Sequence, residues 1–456
     1  MLSLRALAVA AFALTLAWLP TGVQAQSLTQ ALASAYTNNP ELASAFLSVK
    51  SAAEDIALRQ AGTRPTIGAS LSGDYQWSTA GGQFNDSSSY TAGISYNQTI
   101  FDNFRTDAEI EQARALAELS KYSMRNTEQN VLLSVVDAYM SVVRDSQLVQ
   151  LRQENVSFYE AQLQSSRDRL EVGEGTRIDV AQAEARLAQG VASHRAAIAS
   201  LQTSQATYQR YVGTRPQSLS ASHSYTGLVP PALDDALAQA EVQHPAILSA
   251  KASIRAAQAG SDAAQAGFGP SITLNGSVGT GLAFSSNPTA LQGAQGVSGQ
   301  VGISLTVPIY AGGAIGASVR KANIEQIRSE VSAMSAYDQV REAVITSWSG
   351  IQNASAQIES AQAAVAAQEQ VVEGVIQERD LGASTTLDVL DAQAELTTQR
   401  EGLIQATTNR VVATFSLLAA TGRLSATELG LPVEIKSADD YTATVQDVWQ
   451  ELRTVD

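Results

Sequence analysis

The sequence predicts a mainly helical fold with a smaller β part, built from one structural unit that is used twice. The clearest sign is an octapeptide: Gly173–Val180 reads G-E-G-T-R-I-D-V, and Gly382–Val389, 209 residues later, reads G-A-S-T-T-L-D-V. An apolar stripe with a seven-residue period precedes each copy. Its positions are Val135, Val142, Val149, Val156 and Leu163, then Val344, Ile351, Ile358, Val365 and Val372. Self-similarity on this scale predicts two supersecondary units.

The first 25 residues are typical of a secretory signal peptide. Arg5 supplies the positive start, Ala6–Leu19 is an uncharged apolar run, and Val23-Gln24-Ala25 fits a cleavage site. A membrane anchor is the alternative, but the run is short for a spanning helix, which needs about 20 residues. We therefore expect an exported mature chain that begins near residue 26.

Composition excludes several classes of function. The chain has no cysteine, which excludes disulfides, thiol chemistry and a lipid-carrying cysteine. Its formal net charge of −15 argues against nucleic acid as a partner. The three histidines are scattered, and neither H-E-x-x-H nor G-x-S-x-G occurs, so we predict no metal site, no cofactor and no enzyme.

Each unit begins with two short helices that end at a proline. Pro40 and Pro245 separate the two helices of a pair, and Pro65 and Pro270 stop the helical pattern. The predicted helices are Leu28–Tyr36, Glu41 to about Ala61, Leu233–Val242 and Ala246 to about Ala266. The prolines are 205 residues apart, against 209 for the octapeptides, so about four residues are inserted between them in the second unit.

A β-hairpin follows in each unit, at about 66–101 and 271–310. Apolar and polar residues alternate from Ile67 to Trp77, which predicts a strand with one oily and one wet face. Thr79–Ser89 and Phe284–Gly296 are rich in Gly, Ser and Asn and are predicted as the connecting loops. The oily faces are expected to include Ile67, Leu71, Ile94, Leu274 and Val301.

A long helical hairpin closes each unit, at about 107–213 and 317–422. The predicted helices are Asp107 to about Val172, Thr176–Tyr211, Ala317 to about Leu381, and Thr385–Ala420. The heptad stripe favours coiled-coil packing along their length. The repeats are then residues 26–214 and 232–428, joined by a link at 215–231 and followed by a tail at 429–456, neither of which has a clear periodicity.

Four strands are too few to close a barrel, since about eight is the practical minimum in a membrane. An open strand edge in lipid leaves unpaired backbone groups that cost several kcal/mol each. Strands that face lipid would therefore be shared between subunits, and three copies would supply about twelve strands. The alternative is a soluble four-stranded sheet with one face packed on helices.

The order of these elements and the two glycine turns resemble the TolC family of outer-membrane efflux and secretion channels. The turns are followed by Thr-x-x-Asp-Val, and the resemblance spans about residues 26 to 430. It implies a homotrimer with a shared 12-stranded β-barrel in the outer membrane, in contact with its lipid, and an α-barrel in the periplasm. It also implies a periplasmic adaptor and an inner-membrane pump as partners.

The tips of the helical hairpins are the candidate site. Gly173 and Gly382 are expected in left-handed turns, and Thr176-x-x-Asp179 and Thr385-x-x-Asp388 fit helix-capping boxes. The resemblance implies that Gly173, Thr176, Gly382 and Thr385 also contact the adaptor. A role in capping is the plainer alternative for Asp179 and Asp388.

Asp391 is not explained by capping, because its counterpart in the first unit is Gln182. Asp388 and Asp391 are three residues apart and share one helix face. In the family the corresponding acids form the periplasmic aperture, so the resemblance implies this role for Asp388, Asp391 and, facing them, Asp179. A solvated helix face is the alternative.

The closed tip of the family uses an arginine and a tyrosine that contact the facing acid, and this sequence departs from both. Ser384 stands at the arginine position and Arg379 at the tyrosine position. Arg379 is therefore a candidate closed-state contact that would pair with Asp179.

The function predicted from these features is a passive, trimeric exit duct of an efflux or type I secretion system, gated at the periplasmic tips. The missing lipid cysteine favours, by analogy within the family, export of proteins or toxins over drugs. A periplasmic coiled-coil protein without a pore is the main alternative, and an outer-membrane enzyme is a second one. The strands argue against the former, and the lack of a catalytic cluster argues against the latter.

Overall fold

The computed structural model describes residues 26–80, 82–220, 225–285 and 296–446, so the predicted signal peptide lies outside the described part. The chain forms two compact units, each assembled from separate segments. One unit comprises the described parts of Met1–Ala43, Thr127–Ala240 and Arg341–Ile435, and the other those of Ser44–Asn126, Glu241–Val340 and Lys436–Asp456. We call them the helical unit and the sheet unit.

The observed helices and strands follow the predicted order in both repeats. In chain order they are α1 (Leu28–Asn38), α2 (Pro40–Gln60), β1 (Thr66–Ala80), β2 (Gln83–Phe101), α3 (Arg105–Glu171), α4 (Arg177–Val212), α5 (Leu233–Gln243), α6 (Pro245–Ala266), β3 (Ser271–Ser285), β4 (Gly296–Thr306), α7 (Ala314–Asp380), α8 (Thr386–Ala420) and α9 (Asp439–Gln446). Short 3₁₀ turns lie at Ala61–Thr63 and Tyr225–Leu228. Within the described ranges, no helix is long and apolar enough to span a bilayer.

The four strands of the sheet unit form one antiparallel sheet in the order β1-β2-β3-β4. The hairpins of the two repeats are joined through β2 and β3. Cross-strand pairing brings the predicted oily residues onto one face, as in Ile94 with Val278. On the opposite face the hydroxyls of Ser72 and Thr91 lie 2.7 Å apart. The predicted period of two is therefore confirmed as a sheet with one apolar and one polar face.

One predicted loop is wrong. Thr79–Ser89 is not a connecting loop, because β1 continues to Ala80 and β2 already begins at Gln83. Its polar residues continue the pairing ladder, and the ring of Trp77 stacks on that of Phe84 with centroids 6.5 Å apart. Composition suggested a loop, but cross-strand partners determine the strand. Most of the other predicted loop, residues 286–295, lies outside the described residues.

The heptad stripes form the inner faces of the long helices. Val135 and Val344 are fully buried, and Val142, Val156, Leu163, Ile358 and Val372 are nearly so. In the helical unit the largest core cluster surrounds Tyr139, whose hydroxyl bonds to the carbonyls of Gln26 and Ser220 at 2.8 Å. The stripes thus do what the seven-residue period predicts.

The tail contains a helix that the sequence pattern did not reveal. α9 is fastened to the sheet unit by the ammonium of Lys121, 2.8 Å from Asp439 Oδ1, and by the hydroxyl of Tyr441, 2.6 Å from Glu54 Oε1. Hydrogen bonds from Lys121 and Ser437 lower the pKa of Asp439. These partners are distant in sequence, so a local pattern could not identify them.

Candidate functional site at the helical tips

Two glycines reverse the chain at the tips of the helical unit. Gly173 has φ +83° and Gly382 has φ +80°, the left-handed region that residues with a Cβ rarely adopt. The turns close with backbone bonds of 2.8 Å, from Glu174 N to Arg169 O and from Ala383 N to Glu378 O. The predicted left-handed turns are therefore confirmed at both tips.

Both predicted capping boxes form. Thr176 is the N-cap of α4: its Oγ1 accepts from Asp179 N at 3.2 Å, and Asp179 Oδ2 accepts from Thr176 N at 2.9 Å. Thr385 caps α8 with Asp388 in the same way, at 3.2 Å and 2.8 Å. Each threonine hydroxyl also donates to its aspartate, which uses the carboxylate fully within the cap.

The cap has an electrostatic consequence at the second tip. Hydrogen bonds from the Thr385 hydroxyl and backbone N–H lower the pKa of Asp388, because they favour the carboxylate over the acid. Asp388 therefore keeps its negative charge to lower pH than an ordinary aspartate, although its side chain is exposed.

Asp391 has a partner that sequence reasoning missed. Arg186 of α4 donates from Nη2 to Asp391 Oδ1, which links the two helical hairpins of the chain. The guanidinium is half-buried and the carboxylate more exposed. Asp391 is thus neither a free carboxylate nor a purely solvated one.

Tight packing next to this pair fixes its position. Leu390 of α8 is fully buried among Tyr159 and Leu163 of α3 and Ala183 of α4. A Cβ on Gly190 would lie 3.0 Å from the Tyr159 ring, so only glycine permits this approach. Because Leu390 is anchored, the next residue, Asp391, projects beside α4 and reaches Arg186.

The expected pair of Arg379 with Asp179 does not form within the chain. Arg379 is buried and donates instead to Asp380 Oδ1 at 2.7 Å and to Gln162 Oε1 at 2.5 Å. Asp179 is held by its own helix cap, as described above. Arg379 therefore joins α7 to α3, and the closed-state contact proposed for it is replaced, in a single chain, by a bond between hairpins.

A third link between the hairpins lies further from the tips. Arg152 of α3 contacts Glu401 of α8 with both ends of its guanidinium, at 2.7 Å and 3.3 Å, and donates to the carbonyl of Ser193 at 3.1 Å. Hydrogen bonding to Glu401 raises the pKa of Arg152. The bidentate, half-buried geometry is the strong form of this contact.

A signal for Arg186 existed in the repeat. Its counterpart at the 209-residue spacing is Glu395, a reversal of charge one helical turn from Asp391. A base that replaces an acid, at the level where an acid replaces Gln182, indicates a pair that only one side of the duplication needs.

The tips also expose apolar side chains to solvent. Val172 is 71% exposed, and Ile178 and Leu381 are similarly exposed. In the parts of the chain that the structure describes, no cluster of His, Asp and Glu could hold a metal ion. Glycine turns, capped helices and exposed apolar side chains are the features of a docking surface and a gate, and they offer no catalytic chemistry.

Comparison with known proteins agrees with this arrangement. The outer membrane efflux protein family model matches residues 31–214 and 236–423, one match for each repeat. The chain is 36% identical to the outer membrane efflux protein BepC of Brucella suis over 437 residues, 94% of this chain and 93% of BepC. It is 24% identical to the outer membrane protein TolC of Escherichia coli over 419 residues, 89% of this chain and 84% of TolC.

Among solved structures, the Campylobacter jejuni CmeC outer membrane channel superposes with a TM-score of 0.77 at 16% identity, covering 92% of this chain and 89% of CmeC. That likeness shows a shared fold. Because the family model covers both repeats and the similarity to BepC runs through nearly the whole chain, the chain belongs to the outer membrane efflux protein family.

Proposed function

We propose that three copies of this chain form one passive exit duct, which opens at its helical tips when a periplasmic adaptor of an inner-membrane pump docks there. Membership of the family makes the chain an outer-membrane channel protein. The trimer, the docking partner and the gate are the proposed part.

The observation that carries the proposal is the sheet. Its apolar face, including Leu71 and Val301, is exposed in the single chain, and its order ends at the edges of β1 and β4. In lipid such edges would leave backbone groups unpaired, at several kcal/mol each. Sharing the sheet between copies removes the edges, and three copies give about twelve strands, within the range of membrane barrels.

The gate is proposed at the two tips. Asp388 and Asp391 of three chains would surround the periplasmic aperture, with Asp179 on the facing helix. The polar links from Arg186 and Arg379 hold the two hairpins of a chain together. Opening would require some of these links to break, which is feasible because an exposed ion pair is worth only about 0.2–1 kcal/mol.

The adaptor is proposed to dock on the exposed apolar residues around the turns of Gly173 and Gly382. Val172 and Leu381 follow the ends of α3 and α7 and have no covering side chain in the monomer. An apolar patch on otherwise polar tips fits a protein partner that buries it.

The test uses a strain that lacks the gene. Wild-type protein should restore both pump-driven dye efflux and protein secretion, or one of them, which also identifies the cargo. Val172→Asp should fail to restore export while it reaches the outer membrane in normal amounts, because a charge at the tip prevents docking.

Val242→Asp is the matched control. Val242 lies outside the tips and is 68% exposed, against 71% for Val172. It should restore export fully. Export by the Val172→Asp variant at the wild-type rate would refute the tips as the docking site, and an unchanged deletion strain would refute the duct.

A further inference from the structure

We infer that the contact between neighbouring copies of this chain repeats the contact between its own two halves, so that β4 pairs with β1 of the next copy in a register set by the duplication. The inference rests on the trimer proposed above. It adds the surfaces and the residue pairs through which the copies meet.

The two hairpins have the same internal register. In the first, Ile67 pairs with Tyr96, and in the second Ile272 pairs with Leu305. These residues are related by the two spacings of the repeat, 205 for the first strand and 209 for the second. The same conversion therefore applies to any pair between a second and a first strand.

Within the chain, the second strand of repeat one pairs with the first strand of repeat two. Ser95 of β2 lies opposite Ser277 of β3. Conversion by the two spacings places Ser304 of β4 opposite Ser72 of the next copy. All four residues are serines, and the conversion keeps them on the polar face of the sheet.

The same register keeps the apolar face continuous. Tyr96 pairs with Gly276 inside the chain, and the converted pair is Leu305 with Leu71 of the next copy. Both leucines are exposed in the monomer. A shift by one residue would place apolar side chains on the polar face, so the pattern itself opposes other registers.

Helices of the sheet unit make a second internal contact between the halves. Arg255 of α6 donates to Glu118 of α3 at 2.5 Å, and a Cβ on Gly260 would lie 2.8 Å from Nε2 of Gln112. α6 belongs to repeat two and α3 to repeat one. By the duplication, α2 of one copy should meet α7 of the next.

Exposure in the monomer agrees with that pairing. On α3, Ala115 is 3% exposed, whereas its counterpart Ile324 on α7 is 65% exposed. On α6, Ala252 is 0% exposed, whereas its counterpart Leu47 on α2 is 62% exposed. Positions that are covered inside the chain are therefore larger and uncovered where the next copy would lie.

An exposed stripe extends this surface along α7. Its members recur at the three- and four-residue spacing of a coiled-coil face: Ile324, Ile327, Val331 and Met334. We call these four residues the α7 stripe. Their spacing fits a helix as partner, and the duplication identifies that helix as α2 of a second copy.

Charge complementarity supports the same partner. The close pair of Gly260 and Gln112 converts to Asp55 of α2 and Lys321 of α7. Both side chains are exposed, and the structure gives neither an ion pair within the chain. Opposite charges at converted positions would form an ion pair between copies.

Engineered cysteines test the register directly, because the chain has none of its own. In purified, detergent-solubilised protein, Ser72→Cys with Ser304→Cys should give a covalent trimer on a denaturing gel, after oxidation or with a short bismaleimide. Opposed residues in antiparallel strands lie about 4.5–5.5 Å apart between Cα atoms, within reach of a disulfide. The bismaleimide bridges thiols without disulfide geometry.

Two matched pairs serve as controls. Ser95→Cys with Ser277→Cys should cross-link within one chain and leave its mass on the gel unchanged. Ser72→Cys with Ser298→Cys should not cross-link, since Ser298 is six residues from Ser304, about 20 Å along the strand.

Charge exchange tests the helical part independently. Asp55→Lys and Lys321→Asp should each lower the temperature at which the oligomer dissociates, and the double variant should restore it. Failure of the double variant to recover would overturn the α2–α7 contact.

The outcomes separate this inference from the trimer itself. A native trimer in which the 72/304 pair stays unlinked, or in which the 72/298 pair links as well, would overturn the register. Covalent products larger than three chains would overturn the closed repetition of the contact. A native monomer would instead refute the proposed trimer.

Discussion

The pairing of Arg186 with Asp391 changes what should happen when the aperture is mutated. If three chains surround the aperture, each contributes the carboxylates of Asp388 and Asp391 and the guanidinium of Arg186, a net charge of about −1 per chain. Arg186→Gln makes this about −2, and Asp391→Asn makes it about 0. The double variant returns to about −1, the wild-type value.

The size of the effect follows from Coulomb's law. A cation about 10 Å from one unit charge in water gains about 0.4 kcal/mol. Three added charges give about 1.2 kcal/mol, which is roughly an eightfold change in cation affinity. Salt reduces it, since the Debye length falls from about 30 Å at 0.01 M to about 10 Å at 0.1 M.

Planar-bilayer recordings at low salt measure this effect. A polyamine added on the periplasmic side should block the Arg186→Gln channel at roughly one eighth of the wild-type concentration and the Asp391→Asn channel at roughly eight times that concentration. The double variant should match the wild type. Arg210→Gln is the control, because Arg210 lies on the same helix, 3.8 Å from Glu41, at the end away from the tip. Equal block in all variants would refute a role for either residue in the aperture.

The remaining predictions concern stability and the sheet, in detergent-solubilised protein. Tyr139→Phe should cost about 1–3 kcal/mol because it leaves buried backbone groups unpaired, whereas Tyr208→Phe should cost little, because its hydroxyl is buried without a partner among the described residues; chemical unfolding compares the two, and equal losses would contradict the assignment. Burial lowers the pKa of His244 to about 4, so its neutral form caps α6, and stability should fall by about 2–3 kcal/mol as pH drops from 6.5 to 4; His244→Asn should remove that component of the pH dependence, and an unchanged profile would refute the cause. Leu71→Arg should cost about 2–4 kcal/mol if that face meets lipid near the bilayer centre, and Ser72→Arg much less; equal costs in a lipid-refolding titration would argue for a soluble sheet.

Local patterns predicted the parts of the fold that local forces determine. The heptad stripe at Val135 and Val344 is buried because seven-residue spacing places it on one helix face. The turns at Gly173 and Gly382 were predicted because the left-handed conformation strongly favours glycine.

The misses have a common physical cause. α9 is held by Lys121 and Glu54, more than 300 residues away in sequence, and no periodicity records such partners. Arg379 has a nearer alternative to Asp179 in Asp380 and Gln162, which depends on how the hairpins pack.

The central claim is that one chain supplies a third of a shared barrel, and the native mass of the detergent-solubilised protein tests it most directly. The account predicts a single species of three mature chains at all working concentrations, which dissociates only when the strands unfold. A folded monomer that remains in solution after the detergent is removed would contradict it.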